Sequence, residues 1–381
     1  MRPVYIAGIG QTSIAEQWDK TAQDLAHDAA SQALHGYTGA IGAVYVANAL
    51  SAALGNQSNL APAVAAGLGL RGVETLTIEA GGAAGGMAIR QTQLAVAAGV
   101  VDAVLVVGVE KVSDVLDERR ESALALSMDA DWEAFHGVTV TAQWAMLMRS
   151  YMHSYALGAQ AFAPFPVNAH ANGVHNQNAL YRFAINADKY QSAAAVAAPL
   201  GLLDCATEAD GAAAVLISAT PPVGAVIRIA GSAVASDTVA LHARAELLQL
   251  DAVRWSFERA IAQAGVERSD VDVFEVTDPH AIAAILAFEA MGYAASGTGH
   301  LLGSSGAIRP DGSVPVALAG GCKARGNLLG ALGVLQIVEL TQQLQGSAPT
   351  QIADARVGLA QCMSGIGSTV ATHILVRDAE R

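Results

Sequence analysis

Few side chains in this sequence have the types and spacing that chemistry demands. The three cysteines, Cys205, Cys322 and Cys362, are scattered, with no C-x-x-C pair or His/Cys cluster to hold a metal. The run Thr277-Asp278-Pro279-His280 brings together a hydroxyl, a carboxylate and an imidazole. Thr277 can donate one hydrogen bond. Asp278 before proline reads as a helix N-cap, and His280 as a capping or packing residue at a helix start. Tyr293, in "EAMGYAASG", reads as a packed ring with a bonded hydroxyl. Lys323 and Arg325 suit a phosphate or a solvated turn. The sharpest strand-to-helix turn, in "TIEAGGAAGGMAIRQTQ", is bare: a strand ends at Glu79, a helix starts near Gly82, and no side chain between them can attack, donate or accept.

The elements that must position these residues alternate along the chain. Strands are expected near 4–8, 43–47, 75–79 and 103–109, and helices near 21–34, 60–66 and 82–98. Their near-continuous apolar runs imply a sheet covered on both faces. The second half repeats the plan, with strands near 226–234, 271–276, 352–359 and 369–375 and helices near 245–264, 281–291 and 326–344. "EAGGAAGGMAIRQTQLAVAAG" matches "LAGGCKARGNLLGALGVLQIV" in type, which predicts a duplicated βαβαβαββ unit. Residues 114 to about 194 break the alternation. Their first part is helical and rich in Met, Trp and Tyr; "AFAPFPVNAHANGVHNQNALYRFAINADKYQS" reads as polar and irregular. A strand at 212–219 then returns to the sheet. The expected domains are 1–113 with 199–222, an inserted loop domain at 114–198, and 223–381.

With 52% hydrophobic and 14% charged residues in 381, the chain can bury a large core and a subunit interface. A net charge of −13 argues against nucleic acid or an anionic membrane as main partner. An odd cysteine count, a first strand at the very N-terminus and no long apolar run point to a cytoplasmic protein without a membrane span.

In "VYIAGIGQTS", "DAVLVVGVEKVSD", "PLGLLDCATEADGAAAVLISA", "GGCKARGNLLGALGVLQIVEL" and "GIGSTVATHIL", in this order, the chain resembles the thiolase superfamily, most of all the sterol-carrier-protein-x or lipid-transfer type. The resemblance implies an α/β fold with the two halves in five α-β-α-β-α layers, an inserted loop domain over the site, a homodimer at least, and coenzyme A thioesters as substrate or ligand. It implies no intrinsic cofactor and no metal. Aligned on "IEAGGAAGG", the nucleophilic cysteine of the family falls on Gly82. The N-E-A-F or H-D-x-F patch reads Thr277 to His280, and the histidine of G-H-P-x-G-A-T-G falls on Asn327. The last cysteine patch reads "QCMSGIGS", with Gln361 or Cys362 at the base position and Gly365 in the glycine loop.

Without a thiol and a histidine base, the ordinary condensation is improbable. The N–H groups of Gly82 and Gly365 still suit a thioester oxygen. The missing side chain at 82 is expected to leave room for a bulkier acyl group. Three readings stay open. One is a retro-aldol lyase of β-hydroxyacyl-CoA, working with a small zinc-ribbon/OB-fold partner, with His280, Asp278 and Tyr293 as candidate bases. Another is a catalytically silent binder of acyl-CoA or lipid. The third is an acyltransferase using Cys362 or a carrier thiol. Lys323 and Arg325 are the candidate contacts of a coenzyme A phosphate.

Overall fold

The computed structural model describes residues 2–378. The first half runs β1 (Tyr5–Gln11), α1 (Ala22–Ala33), β2 (Ala43–Ala47), α2 (Ser51–Leu54), α3 (Leu60–Gly67), β3 (Glu74–Ile78), α4 (Ala84–Ala97) and β4 (Ala103–Glu110). Four helices, α5 (Asp117–Leu124), α6 (Val140–Ser154), α7 (Pro164–Gly173) and α8 (Ala187–Gln191), then precede a small hairpin, β5 (Ala195–Ala197) and β6 (Leu200–Gly201). The chain re-enters the sheet at β7 (Gly211–Ser218). The second half is β8 (Ile227–Ser236), α9 (Asp251–Ala264), β9 (Val273–Val276), α10 (Ala281–Ala290), α11 (His300–Ser304), α12 (Leu332–Gln345), β10 (Val357–Ser364) and β11 (Thr369–Arg377).

The strands order β3-β2-β4-β7-β1-β8-β11-β10-β9, and the two halves join where Tyr5 pairs with Arg228. In each half the inner pairings are antiparallel and the outer ones parallel. The sequence reading found only four strands in the second half. The counterpart of β3 is one parallel bridge between Phe274 and Val316, too short to leave an alternating pattern. Asparagine amides on and after α7 support it: Asn168 donates to Val316 O (3.0 Å), Asn172 to Ala317 O (3.1 Å) and Asn176 to Ala319 O (2.9 Å). The stretch expected to be irregular is therefore a helix started by Pro164, whose missing N–H has no cost at that position.

Five layers follow from the packing. Helices α1 and α3 cover the outer face of the first half-sheet, α4 and α12 lie between the halves, and α9, backed by α10, covers the second. β2, β4, β7 and β10 are buried at every residue, which is why the first three read as nearly unbroken apolar runs, while β10 also buries Gln361. Thr21 caps α1 in a capping box with Asp24, a start signal that the sequence carries openly.

Three expectations need correction. The helix expected from residue 326 starts at Leu332, and the helix expected from 245 starts at Asp251. The strand expected at 352–359 lies at Val357–Ser364, because Asp272 ties down the N–H groups of Arg356 and Val357 and the pairing with β11 runs on to Ser364. The repeat also has another register. A 3₁₀ turn at Gly81–Ala83 leads into α4 as one at Leu329–Ala331 leads into α12, with Ala83 N bonded to Ala80 O (3.1 Å) and Ala331 N to Leu328 O (2.8 Å). Gly82 and Gly85 thus correspond to Gly330 and Gly333, not to the glycines at 320–326.

The two central helices touch backbone to backbone. A Cβ on Gly333 would lie 2.3 Å from Gly86 N, and one on Gly85 would lie 2.7 Å from Val334 N. Glycine inside a helix costs about 1 kcal/mol relative to alanine, so these positions are held by the close approach. Gly333→Ala should lower stability by about 1–3 kcal/mol through overpacking. Urea denaturation checks this, and an unchanged midpoint would mean that the contact is looser.

Candidate active site

Where α4, α12 and the ends of β9 and β10 converge, a cavity of ≈ 740 Å³ opens toward α5 and the β5–β6 hairpin. Gly82, Thr277, His280, Asn327 and Gly365 all line it. A shallower hollow of ≈ 620 Å³, beside Gln11, Ser13, Lys20 and Asp28, holds none of the candidate residues.

Gly82 is the middle residue of the 3₁₀ turn before α4. The first N–H groups of a helix lack intrahelical acceptors and carry its positive dipole end. Gly365 follows β10 with φ +52°, a left-handed backbone suited to glycine. No vacancy replaces a side chain at 82: a Cβ there would lie 2.5 Å from Met363 O. The expected extra acyl space is filled by the loop backbone.

Thr277 follows β9, and its hydroxyl donates to Gln361 O (3.2 Å) while accepting from Met363 N (3.1 Å). It fastens the glycine loop instead of offering its proton to a thioester. His280 is the first residue outside α10 but forms no side-chain cap. It stacks on Trp144 at 6.1 Å, and Nδ1 has no partner among the described residues. Burial, aided by the charge of Lys323, holds its imidazole neutral, with the pKa down at about 3. Asn327 Oδ1 accepts from Leu329 N (3.1 Å), which leaves its Nδ2 donors for the cavity.

Five candidates fall outside the cavity. Asp278 is no N-cap and no base: it accepts from Cys322 N (2.7 Å) and pairs with Lys323 (3.0 Å). Lys323 and Arg325 cannot meet a phosphate, since both are buried, and Arg325 pairs with Glu339 and with Glu275 (3.6 Å). A buried guanidinium needs such partners, and here they come from β9 and α12. Burial pushes the Glu339 carboxyl up to about 7 despite Arg325. Tyr293 packs on Phe274 at 4.8 Å, gives its proton to Arg268 O (3.0 Å) and is shifted upward by burial, so it is a core ring and no base. Cys362 faces the α4–α12 contact, beside Gly86, and burial raises its thiol to about 12.

The sequence reading assigned no role to several polar groups of the cavity, among them Cys205, Glu208 and Arg120. Burial and then Asp204 push the Cys205 thiol up to about 12, so it carries little thiolate near neutrality. Arg120 on α5 is the cation on the cavity wall among the described residues. Glu208 had a signal: it stands with Asp210 just before an entirely buried strand, so two acids enter the end of a buried sheet. Among the described residues, no group of His, Cys, Asp and Glu is placed to hold a metal ion, and no helix is long and apolar enough to cross a membrane.

Residues 4–220 match the thiolase N-terminal domain and residues 233–377 the thiolase C-terminal domain-like family. An acetyl-CoA acetyltransferase of Methanothermobacter thermautotrophicus is 35% identical over 99% of this chain and 100% of its own. The 17-hydroxy-3-oxo-4-pregnene-20-carboxyl-CoA lyase of Mycobacterium tuberculosis is 26% identical over 95% of this chain and 96% of its own. Among solved structures, the Ltp2-ChsH2(DUF35) aldolase superposes with a TM-score of 0.86 at 23% identity, covering 100% of this chain and 99% of that one.

Two outcomes are expected. Gly82→Cys should destabilise the fold by about 1–3 kcal/mol and should not take an acyl group from acetyl-CoA. Thermal melting and intact mass check this, and an adduct would show that the loop yields. The folded-state pKa of His280 is depressed from 6.5 to about 3. The unfolded chain therefore takes a proton that the folded chain refuses, and stability falls as the pH drops from 6.5 toward 3. His280→Gln should flatten melting temperature against pH across that window, and an unchanged slope would show the imidazole titrating normally.

Proposed function

The chain belongs to the thiolase family, and on that premise we propose that it cleaves a carbon–carbon bond of a β-hydroxyacyl-CoA by a retro-aldol route, without an acyl-enzyme. The observation that carries this is that Gly82, at a helix start, and Gly365 line the same cavity, where burial keeps the thiol of Cys205 protonated near neutrality. Gly82 stands, on this reading, where family members carry the nucleophile. Two N–H groups can hold a thioester oxygen as it becomes an enolate. Losing one such donor typically costs about 100-fold or more in rate.

The chemistry needs no oxidant and no covalent intermediate. A base removes the β-hydroxyl proton, the Cα–Cβ bond breaks, and its electron pair moves onto the thioester as an enolate. The β-carbon leaves as a ketone or aldehyde, and Cα regains a proton. Apolar walls from Leu50, Leu124, Leu126, Val196 and Leu202 suit a bulky acyl group, and Arg120 offers a charge to an anionic part of the thioester. The lyase named among the relatives supports the reaction class. The likeness to an aldolase whose name joins two proteins supports a second subunit, which we take to be a zinc-ribbon/OB-fold protein beside a homodimer of this chain.

A second reading is supported by the locked hydroxyl of Thr277 and the weakly basic His280: a binder of acyl-CoA or lipid that turns nothing over. The acyltransferase reading is supported by the 35% identical acetyl-CoA acetyltransferase, but it lacks a thiol at the site, because Cys362 lies away from the cavity.

The test is direct. The chain, with and without a zinc-ribbon/OB-fold partner, is incubated with 17-hydroxy-3-oxo-4-pregnene-20-carboxyl-CoA and with a short β-hydroxyacyl-CoA. Release of a ketone or aldehyde with a shortened acyl-CoA is expected. Tight binding with no product from either thioester would favour the silent binder and end the lyase reading.

A further inference from the structure

The cavity wall carries several acids, and most are otherwise engaged or open to solvent. Asp117 pairs with Arg120 (2.8 Å), Glu79 accepts from Gly81 N (2.6 Å), and Glu121 is exposed. Glu208 differs. It is half-buried, lines the cavity, and sits on a segment that the structure fixes from both sides. Asn327 N donates to Thr207 O (2.9 Å), and Ala209 N donates to Asn327 O (3.2 Å). Two residues on, Asp210 is consumed by Lys111 (2.9 Å), Val112 N (2.7 Å) and Ser113 N (3.0 Å), so it anchors the strand start and leaves Glu208 to the cavity.

We propose that Glu208 is the general base of this site, taking the β-hydroxyl proton of the bound acyl-CoA and returning it to Cα of the enolate. This rests on the lyase reading above. Proton and electrons balance: the carboxylate gains the hydroxyl proton, the Cα–Cβ pair becomes the enolate held by the Gly82 and Gly365 N–H groups, and the carboxylic acid then protonates Cα. The base is ionised again at the end of the cycle.

The surroundings tune the acid for this work. Burial pushes the Glu208 carboxyl above its usual range. Its own backbone N–H, the charge of Arg120 and the amide of Asn327 oppose that shift, while Glu121 adds to it. Cys205, on the same segment, also faces the carboxyl. A base works best with a pKa nearer the working pH than an ordinary glutamate offers. Asn327 fits as a positioning residue, since its donors favour the carboxylate without competing for the proton.

The test uses the full chain with its partner and the two thioesters named above. Glu208→Gln should reduce kcat by about 100-fold or more, the usual contribution of a positioned base, with thioester binding changed less than a few-fold. The acid limb of kcat/KM for the wild type should lie above the ordinary glutamate range. Wild-type cleavage with Glu208→Gln within about threefold of it would overturn the base assignment and leave the lyase reading standing. No cleavage by the wild type overturns both. If Glu208→Gln melts early, Glu208→Asp decides: slower turnover with the acid limb moved to lower pH supports the assignment, and an unmoved limb overturns it.

Discussion

The structure depends on one close approach, the crossing of α4 and α12 at Gly85, Gly86 and Gly333. No side chain separates the two backbones there. The contact fixes how near the two half-sheets stand, because each helix packs on strands of both halves. It also sets the distance between the turns that start the helices. Gly82 comes from one turn, Asn327 leads into the other, and a cavity exists between them only because the helices meet so tightly. Larger residues would part the helices and spread the site.

Buried charge does a related task one layer away. Lys323 and Arg325 carry two positive charges into the second half, where Asp278, Glu275 and Glu339 receive them. Replacing such pairs with apolar residues is often neutral, so their worth is in geometry more than in stability. Asp278 holds the turn at 321–325 against the end of β9, and the turn carries the chain to Asn327. Glu110 does the same in the first half, accepting from Ala49 N (3.0 Å), Leu50 N (3.1 Å) and Gly330 N (3.1 Å). Burial pushes its carboxyl up to about 7. Both halves thus deliver a loop to the cavity through a carboxylate that gathers backbone donors.

The cavity combines two environments. One part of its lining is backbone, from Gly82 at a helix start and the left-handed Gly365. The rest is mixed: Leu50, Leu124, Leu126, Val196 and Leu202 supply apolar surface, while α5 also brings Asp117, Arg120 and Glu121. Nucleophilic catalysis is poorly served here, since the thiols are held protonated and His280 is a weak base. Charge stabilisation is better served, because fixed backbone donors need no reorganisation as charge develops. The site therefore suits a reaction whose difficulty is a developing oxyanion.

Much of the architecture was legible in the sequence. Apolar runs marked most strands of both halves, and glycine turns suggested a duplication in the wrong register, since the turn at Gly81–Ala83 answers to Leu329–Ala331 and not to the glycines at 320–326. Local rules suffice for such features, because strand burial and glycine turns depend on residues close in the chain. The fifth strand of the second half was not legible: a single bridge at Val316 and the residues after it are held by asparagines more than 140 positions away. The site followed the same division. The family resemblance singled out Gly82 and Gly365, and both line the cavity. The fates of Lys323, Arg325, Tyr293 and Thr277 were settled by partners on other elements, and so was the exposure of Glu208 to the cavity. Residue type sets which groups can ionise or donate. Only tertiary packing decides which of them keep a free proton or lone pair, because that depends on which other groups reach them first.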